Sequence, residues 1–204
     1  MLINDRSGII LMPPNIEFKV VMIGAVAVGK TAIANRLQFQ VFESDYEPTI
    51  GAGYIPYRTT YKGKDVELQI WDTAGMERDK SLGAIYYRDA QAAVIVYDQT
   101  NPESADALES WLESFRATVK TQCYIAIAAN KDDLPNKMVP IDKIRSWASE
   151  QGFYFFVTSA KSGTGVTEMF EALIEGLMKD KSFETRTSPK LRKTNTNGKK
   201  GCCD

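Results

Sequence analysis

Three short stretches of this chain carry side chains whose types and spacing suit phosphate and purine chemistry. Gly24-Ala25-Val26-Ala27-Val28-Gly29-Lys30-Thr31 fits the pattern G-x-x-x-x-G-K-[ST] and lies where an apolar run gives way to a helical one, the setting this motif requires. Its glycines permit backbone angles that turn successive N–H groups toward one anion, and the following helix adds its positive end. Lys30 supplies a point charge to the outer phosphates, and the Thr31 hydroxyl is a hard oxygen ligand suited to Mg2+. Downstream, Asp72 in Trp71-Asp72-Thr73-Ala74-Gly75 closes a strand-like run. A carboxylate placed there, facing a phosphate loop, is expected to hold the same ion directly or through water.

The third stretch is Asn130-Lys131-Asp132-Asp133. Guanine presents an N1–H and an exocyclic amine side by side, and one carboxylate can accept both hydrogen bonds. Adenine has no donor at N1, so the same carboxylate would face an acceptor. Asp133 is the residue expected to read the base. The stem of Lys131 can cover the base, and Asn130 can tie neighbouring loops together. Ser159-Ala160-Lys161, after a later strand, supplies another loop beside the purine.

These stretches must be delivered by a scaffold. Runs apolar on both faces at Glu17–Ile23, Gln91–Tyr97, Tyr124–Ala129 and Tyr154–Val157 predict buried parallel strands. Tyr54–Tyr61 and Val66–Trp71, joined by Lys62-Gly63-Lys64-Asp65, predict a hairpin. Helices are predicted from about Lys30 to Phe42, over Pro102–Lys120 and over Ile141–Glu150. In the second, Leu108, Trp111, Leu112 and Phe115 form one stripe. A final helix places Val166, Met169, Phe170, Leu173, Ile174 and Leu177 on one face, and Pro48 and Gly51 mark an irregular segment. Strands alternating with helices imply an α/β fold with right-handed crossovers and helices on both sheet faces. Ligands then bind in loops at the carboxyl ends of the strands.

Composition narrows the chemistry. The 204 residues carry a net charge of −1 and are 44% hydrophobic, an ordinary globular balance that gives no support to nucleic-acid binding. There is no histidine, which removes a Ser-His-Asp triad, a Cys-His protease and any His-containing zinc site. The three cysteines are Cys123, Cys202 and Cys203, too few and too badly spaced for a disulfide framework, and suit a reducing compartment. The apolar patch Gly8–Met12 ends at Pro13-Pro14 and is too short for a secretory or membrane-spanning segment. Residues 179–204 hold eight lysines and arginines against three acids and few large apolar residues, as a solvated linker does.

Taken in order, GAVAVGKT, Thr49, the DTAG of Asp72–Gly75, NKDD and SAK resemble the guanine-nucleotide motifs of the Ras superfamily over about residues 17–180. Within it the chain is most similar to the Rabs. Ile50-Gly51-Ala52-Gly53-Tyr54 resembles their effector-loop signature, and Trp71 precedes DTAG as in Rabs. Tyr86-Tyr87-Arg88-Asp89-Ala90 resembles Y-Y-R-G-A, and Ile95–Thr100 resembles V-Y-D-I-T. Ala27-Val28 and Ala90–Ala93 point to the endosomal branch.

The resemblance implies the P-loop NTPase (small G-protein) fold, with a mostly parallel six-stranded sheet, one antiparallel strand and helices on both faces. Residues 1–16 would be an N-terminal extension, 17–180 the GTPase domain and 181–204 a basic hypervariable tail. It implies GTP or GDP as ligand and Mg2+ as cofactor, held by Thr31, Thr49 and Asp72. Nucleotide contacts would come from residues 24–31 with Ala32, Phe42 stacked on the guanine, Tyr46, Thr49, Gly75, Asn130, Lys131, Asp133, Ser159, Ala160 and Lys161. Lys30, Thr49, Gly75 and residue 76 would serve hydrolysis. Residues 43–54 and 74–88 would be switches ordered by GTP, and Ile50, Tyr54, Trp71 and Tyr86 would meet effectors. An exchange factor, a GTPase-activating protein and a GDP-dissociation inhibitor are the other implied partners of a monomer.

Two departures bear on rate. Met76 stands where the family has a Gln that orients the attacking water, and a thioether cannot do so. Val26 places a branched side chain where relatives carry Gly, Ser or Ala, expected to crowd the γ-phosphate. Both predict slow hydrolysis. They also leave open a second class of function, a constitutively GTP-bound binding module. An ATPase or small-molecule kinase is disfavoured by NKDD and SAK. Cys202-Cys203-Asp204 resembles the Rab double-cysteine prenylation site. Two lipid chains hold where one does not, and basic residues add attraction to anionic leaflets. The expected location is the cytoplasmic side of an intracellular, endosomal membrane, peripheral, with a cytosolic pool.

Overall fold

The computed structural model describes residues 3–4, 10–11, 16–43, 49, 51–75 and 85–180. Two short strands, β1 (Ile3–Asn4) and β2 (Ile10–Leu11), pair antiparallel by themselves. The main sheet contains β3 (Ile16–Ile23), β4 (Ala52–Tyr61), β5 (Lys64–Thr73), β6 (Ala92–Asp98), β7 (Tyr124–Asn130) and β8 (Tyr154–Val157). Its order is β4-β5-β3-β6-β7-β8, with β4 antiparallel to β5 and every other pairing parallel. The β4–β5 hairpin turns on only two residues. Lys62 and Gly63 both take positive φ (48° and 78°) and Tyr61 pairs with Lys64, as a two-residue turn matched to strand twist requires.

Helices among the described residues include α1 (Lys30–Phe39), α2 (Pro102–Asp106), α3 (Leu108–Thr118), α4 (Ile141–Glu150) and α5 (Val166–Lys179). The sheet is covered on both sides, which explains why its inner strands read as continuous apolar runs. Val20, Met22, Val94, Val96, Ala126 and Ala128 pack with α1 and α5. Their alternates Val21, Ile23, Ala93, Ile95, Tyr97, Ile125, Ile127 and Ala129 pack with α2, α3 and α4. Among the described residues no helix is long and apolar enough to cross a membrane.

Two predicted helices are shorter than their sequence pattern. The first stops at Phe39 because Gln40 turns left-handed (φ 57°), its N–H bonding to Arg36 O while Arg36 Nη1 takes the Gln40 carbonyl. Phe42 is therefore beyond the helix. The stretch predicted over Pro102–Lys120 is two helices. Ala107 (φ −78°, ψ −8°) stays right-handed but forms a turn between them, and α2 adds Ala105 to the sheet-facing cluster that Leu108, Leu112 and Phe115 of α3 continue. The six stripe residues of α5 are all buried, as the spacing required.

The parallel strands deliver five chain segments to one edge: the ends of β3, β5, β6, β7 and β8 carry Gly24, Ala74, Gln99, Lys131 and Thr158. Burial in this core dominates stability. Replacing Phe170 (0% exposed) by alanine is expected to cost about 3–5 kcal/mol through lost transfer energy and a residual cavity. Phe39→Ala, at a residue 59% exposed on α1, is expected to stay within about 0.5 kcal/mol of the parent. Urea unfolding of the two variants checks this; equal losses would mean that α5 is not part of the cooperative core.

Candidate functional site

The phosphate loop is shaped by contacts that admit no side chain. At Gly29 (φ 99°) a Cβ would lie 2.3 Å from Asn130 Nδ2, so the loop closes directly on the base-side strand end. Lys30 opens α1 almost fully buried, and its Nζ donates to the carbonyls of Gly24 and Ala25, both at 2.9 Å. Its ammonium is thus held within the loop at the level of the backbone. The first turn of α1 has no acidic residue to offset the helix's positive end, which leaves that end available to an anion.

Three oxygen-bearing side chains from separate segments meet beside this loop. Thr31 Oγ1 is 2.9 Å from Thr49 Oγ1 and donates to Asp72 Oδ2 at 2.5 Å, and Thr49 Oγ1 lies 3.5 Å from the same carboxylate oxygen. Asp72 is 1% exposed, and its Oδ1 is buried with no hydrogen-bond partner among the described residues. Burial pushes this carboxyl above its ordinary range, against the Thr31 hydrogen bond, the charge of Lys30 and the Thr49 hydrogen bond. An unmatched buried carboxylate oxygen beside two hydroxyls is a hard donor set that fits Mg2+. That ion takes few protein ligands and fills its remaining positions with water and phosphate oxygens. The described residues contain no cluster of three acidic, cysteine or histidine side chains that could hold a metal ion. Gly75 packs on the loop itself, since a Cβ there would fall 2.3 Å from Val26 N.

At the other end of the site, Asn130 is 1% exposed and joins three segments. Its Nδ2 donates to Val28 O at 2.8 Å, while its Oδ1 accepts from Ala160 N and Thr158 Oγ1, each at 3.3 Å. Asp133 is held by Ser159, whose hydroxyl donates to Oδ1 at 2.7 Å. Lys131 takes a left-handed conformation (φ 65°), and its ammonium pairs with Asp98 Oδ2 at 2.7 Å. Burial alone would raise the Asp98 carboxyl. The hydrogen bond from Lys131, those from Thr100 N and Oγ1, and the Lys131 charge outweigh it and hold it below the ordinary range.

Two residues at this end were not singled out as site residues in the sequence. Arg36 of α1 donates from Nε to Ala160 O at 2.7 Å and from Nη2 to Lys161 O at 2.6 Å, clamping the Ser159–Lys161 loop onto the phosphate-side helix. A basic residue in the last turn of a helix reads as a cap, and nothing local signals a partner 124 residues away. Gln99, 1% exposed, bonds to the 130–132 segment.

Near the β4–β5 edge, Tyr54, Trp71 and Tyr86 form a row. Tyr54 and Trp71 meet edge-on with centroids 5.8 Å apart, and Trp71 and Tyr86 are 6.2 Å apart. Tyr54 is 49% exposed and anchored by Glu67, a buried carboxylate that also pairs with Arg58 at 2.6 Å. Phe42 is exposed beyond the Gln40 cap, and Ala32 lies in the first turn of α1. Tyr46, Ile50, Met76, Cys202 and Cys203 lie outside the described residues.

A family model described as Ras family matches residues 19–179. Over 186 residues the chain is 36% identical to the "Putative ras-related protein Rab-5B" of Dictyostelium discoideum, covering 87% of this chain and 86% of that protein. Over 158 residues it is 38% identical to the "Ras-related protein Rab-5B" of Plasmodium falciparum (isolate 3D7), covering 77% of this chain and 76% of the relative. With the phosphate loop, the oxygen cluster and the base-side loops assembled at one sheet edge, these matches place the chain in the Ras family of small GTPases, in its Rab branch beside the Rab-5 proteins: a protein of the membrane-trafficking class that binds guanine nucleotide and hydrolyses GTP.

Proposed function

We propose that this chain is a GTP-dependent switch for traffic at an endosomal membrane, anchored through lipid on Cys202 and Cys203, with slow intrinsic hydrolysis. The observation that carries the switch is the meeting of Thr31, Thr49 and Asp72. Thr49 comes from the segment between α1 and β4, so a ligand that engages these oxygens also fixes that segment. Loss of the γ-phosphate weakens the hold on Thr49 and with it the effector face. Tyr54, Trp71 and Tyr86 are the aromatic anchors of that face, the residue types that dominate interface energetics.

Within the site each residue has a physical task. Backbone N–H groups of 24–29 and Lys30 neutralise the β- and γ-phosphates. Thr31, Thr49 and Asp72 would hold Mg2+, which supplies charge neutralisation at the phosphate oxygens when bound. Asp133 selects guanine, Lys131 covers it, and Asn130 with Ser159 fixes the surrounding loops. Gly75 allows the chain entering the second switch to approach the phosphate loop without a side chain between them. The group that follows it is a methionine, which cannot orient a water, and Val26, whose backbone N Gly75 abuts, is 45% exposed. The same pair of residues supports the second reading, a permanently loaded membrane tag. The hydrolysis rate separates the two.

Pre-bound GTP should therefore be cleaved at or below the order of 10⁻⁴ s⁻¹, the unassisted rate of Ras. Met76→Gln and Val26→Gly should each raise it in single-turnover phosphate release, without and with a Rab GTPase-activating protein. Variants no faster than the parent would remove the slow-hydrolysis reading. GTP retained uncleaved by the parent even with the activating protein would favour the tag.

Asp72→Asn should lower Mg2+ affinity by about 10–100-fold, read from the Mg2+ concentration needed to suppress GDP release. An unchanged concentration dependence would take Asp72 out of the ion's surroundings.

Changing both Cys202 and Cys203 to serine should move the protein wholly to the cytosolic fraction, and one cysteine alone should leave binding marginal and reversible. Cys123 should take no lipid, because it is partly buried and burial pushes its thiol up to about 12. Membrane retention of the double variant, scored by flotation, would refute anchoring at this site.

A further inference from the structure

Gln99 sits where the strand-end signature that this chain resembles carries an aliphatic residue, yet it is 1% exposed and its amide has a specific set of neighbours. Nε2 lies 2.9 Å from Ala129 O, 3.4 Å from Asn130 O and 3.5 Å from Asp132 Oδ1. Three acceptors surround one nitrogen, so only a donor suits the position. The backbone of the same residue extends the grip. Its N–H donates to Asn130 O at 3.1 Å, and its carbonyl accepts from Met138 N at 2.8 Å and Val139 N at 3.2 Å. Both ends of the loop 131–139, which carries Lys131 and Asp133, are thereby fastened to Gln99. The neighbouring Asp98 pairs with Lys131.

From this we infer that Gln99 is a positioning residue for guanine recognition: its amide donor holds the outgoing end of the base loop, and so sets how long the nucleotide stays and how sharply guanine is told from its analogues. Any residue at 99 would make the backbone bonds. Only the side chain reaches forward to Asp132, next to the carboxylate that reads the base. The inference rests on the assignment of Asp133 to the base.

The three acceptors keep other donors when the amide is removed. Ala129 O accepts from Thr158 N, Asn130 O from Gln99 N, and Asp132 pairs with Lys137. A methionine of similar length therefore leaves no orphaned buried carbonyl, and Gln99→Met should leave the thermal midpoint of the GDP complex close to the parent. Its effect should be local, on the loop.

The experiment compares release of GDP and of IDP, which lacks the exocyclic amine, from the full chain in excess Mg2+. Gln99→Met is expected to release GDP about 3- to 10-fold faster, the scale of one net hydrogen bond, and to narrow the ratio between IDP and GDP release. Gln99→Glu, which turns an acceptor toward three acceptors, should be faster still; if it fails to fold, Gln99→Met alone decides. Parental release rates and an unchanged IDP-to-GDP ratio in Gln99→Met would overturn the inference. Asp133→Ala distinguishes the two possible failures. If it erases the ratio while Gln99→Met does not, the role of Gln99 falls and the base assignment stands. If Asp133→Ala leaves the ratio intact, the base assignment falls and the inference with it.

Discussion

The buried amide of Asn130 is the joint on which the site depends. Its nitrogen takes a carbonyl of the phosphate loop, its oxygen takes a backbone N–H of the Ser159–Lys161 loop, and its own backbone continues β7 into the base loop. One side chain thus fixes the spacing between the place where phosphates bind and the place where the base binds. A buried amide with its hydrogen bonds made specifies geometry; with one bond missing it carries the full desolvation cost of the orphaned group. The absence of a Cβ at Gly29 belongs to the same joint, because a methyl group there would occupy the volume of the Asn130 amide.

Around that joint the two halves of the site use different physics. At the phosphate end a helix start with no acid in its first turn and a buried lysine offer positive potential, and beside them stands a carboxyl group whose second oxygen has no hydrogen-bond partner among the described residues. On the proposed reading, nucleotide phosphates would meet the lysine and helix start, and Mg2+ would meet the carboxyl group. At the base end the polar groups already satisfy one another. Asp133 has Ser159, Lys131 has Asp98, and the Ala160 and Lys161 carbonyls have Arg36. These loops hold one another, so a base read by Asp133, as proposed, would meet a preorganised frame.

Much of this was legible in the sequence because the information is local. A Gly-rich turn between a strand and a helix, a carboxylate at a strand tip and a run of apolar residues each describe their surroundings within a few residues. Hence the phosphate loop, Thr31, Asp72, Asn130 and Asp133 lie at strand ends and a helix start, and the parallel pairing of the inner strands agrees with the alternation of strands and helices. What escaped is long-range or depends on a single dihedral. Arg36 acts across 124 residues. Gln99 was not singled out, because its contacts need the register that sets Asp98 opposite Asn130. The division of residues 102–118 into two helices turns on Ala107, whose type favours helix and carries no break signal.

The contrast between the two ends also explains how binding and turnover can part company in one chain. Binding draws on backbone N–H groups, Lys30 and the base frame, none of which involves the side chains of Val26 or Met76. On the proposed reading, hydrolysis needs room for a water at the γ-phosphate and a group to aim it, and those two side chains bear chiefly on this. On the proposed reading, a change at position 26 or 76 would alter the lifetime of the GTP state and leave its guanine selectivity in place. Added hold on the base loop, as from Gln99, acts on the other exit from that state, nucleotide release. When both exits are slow, the time spent loaded is set by proteins that supply from outside what the chain lacks: a donor to orient water, or a surface that pries the base loop open. On the proposed reading, control of this switch would lie with its partners more than with its own chemistry.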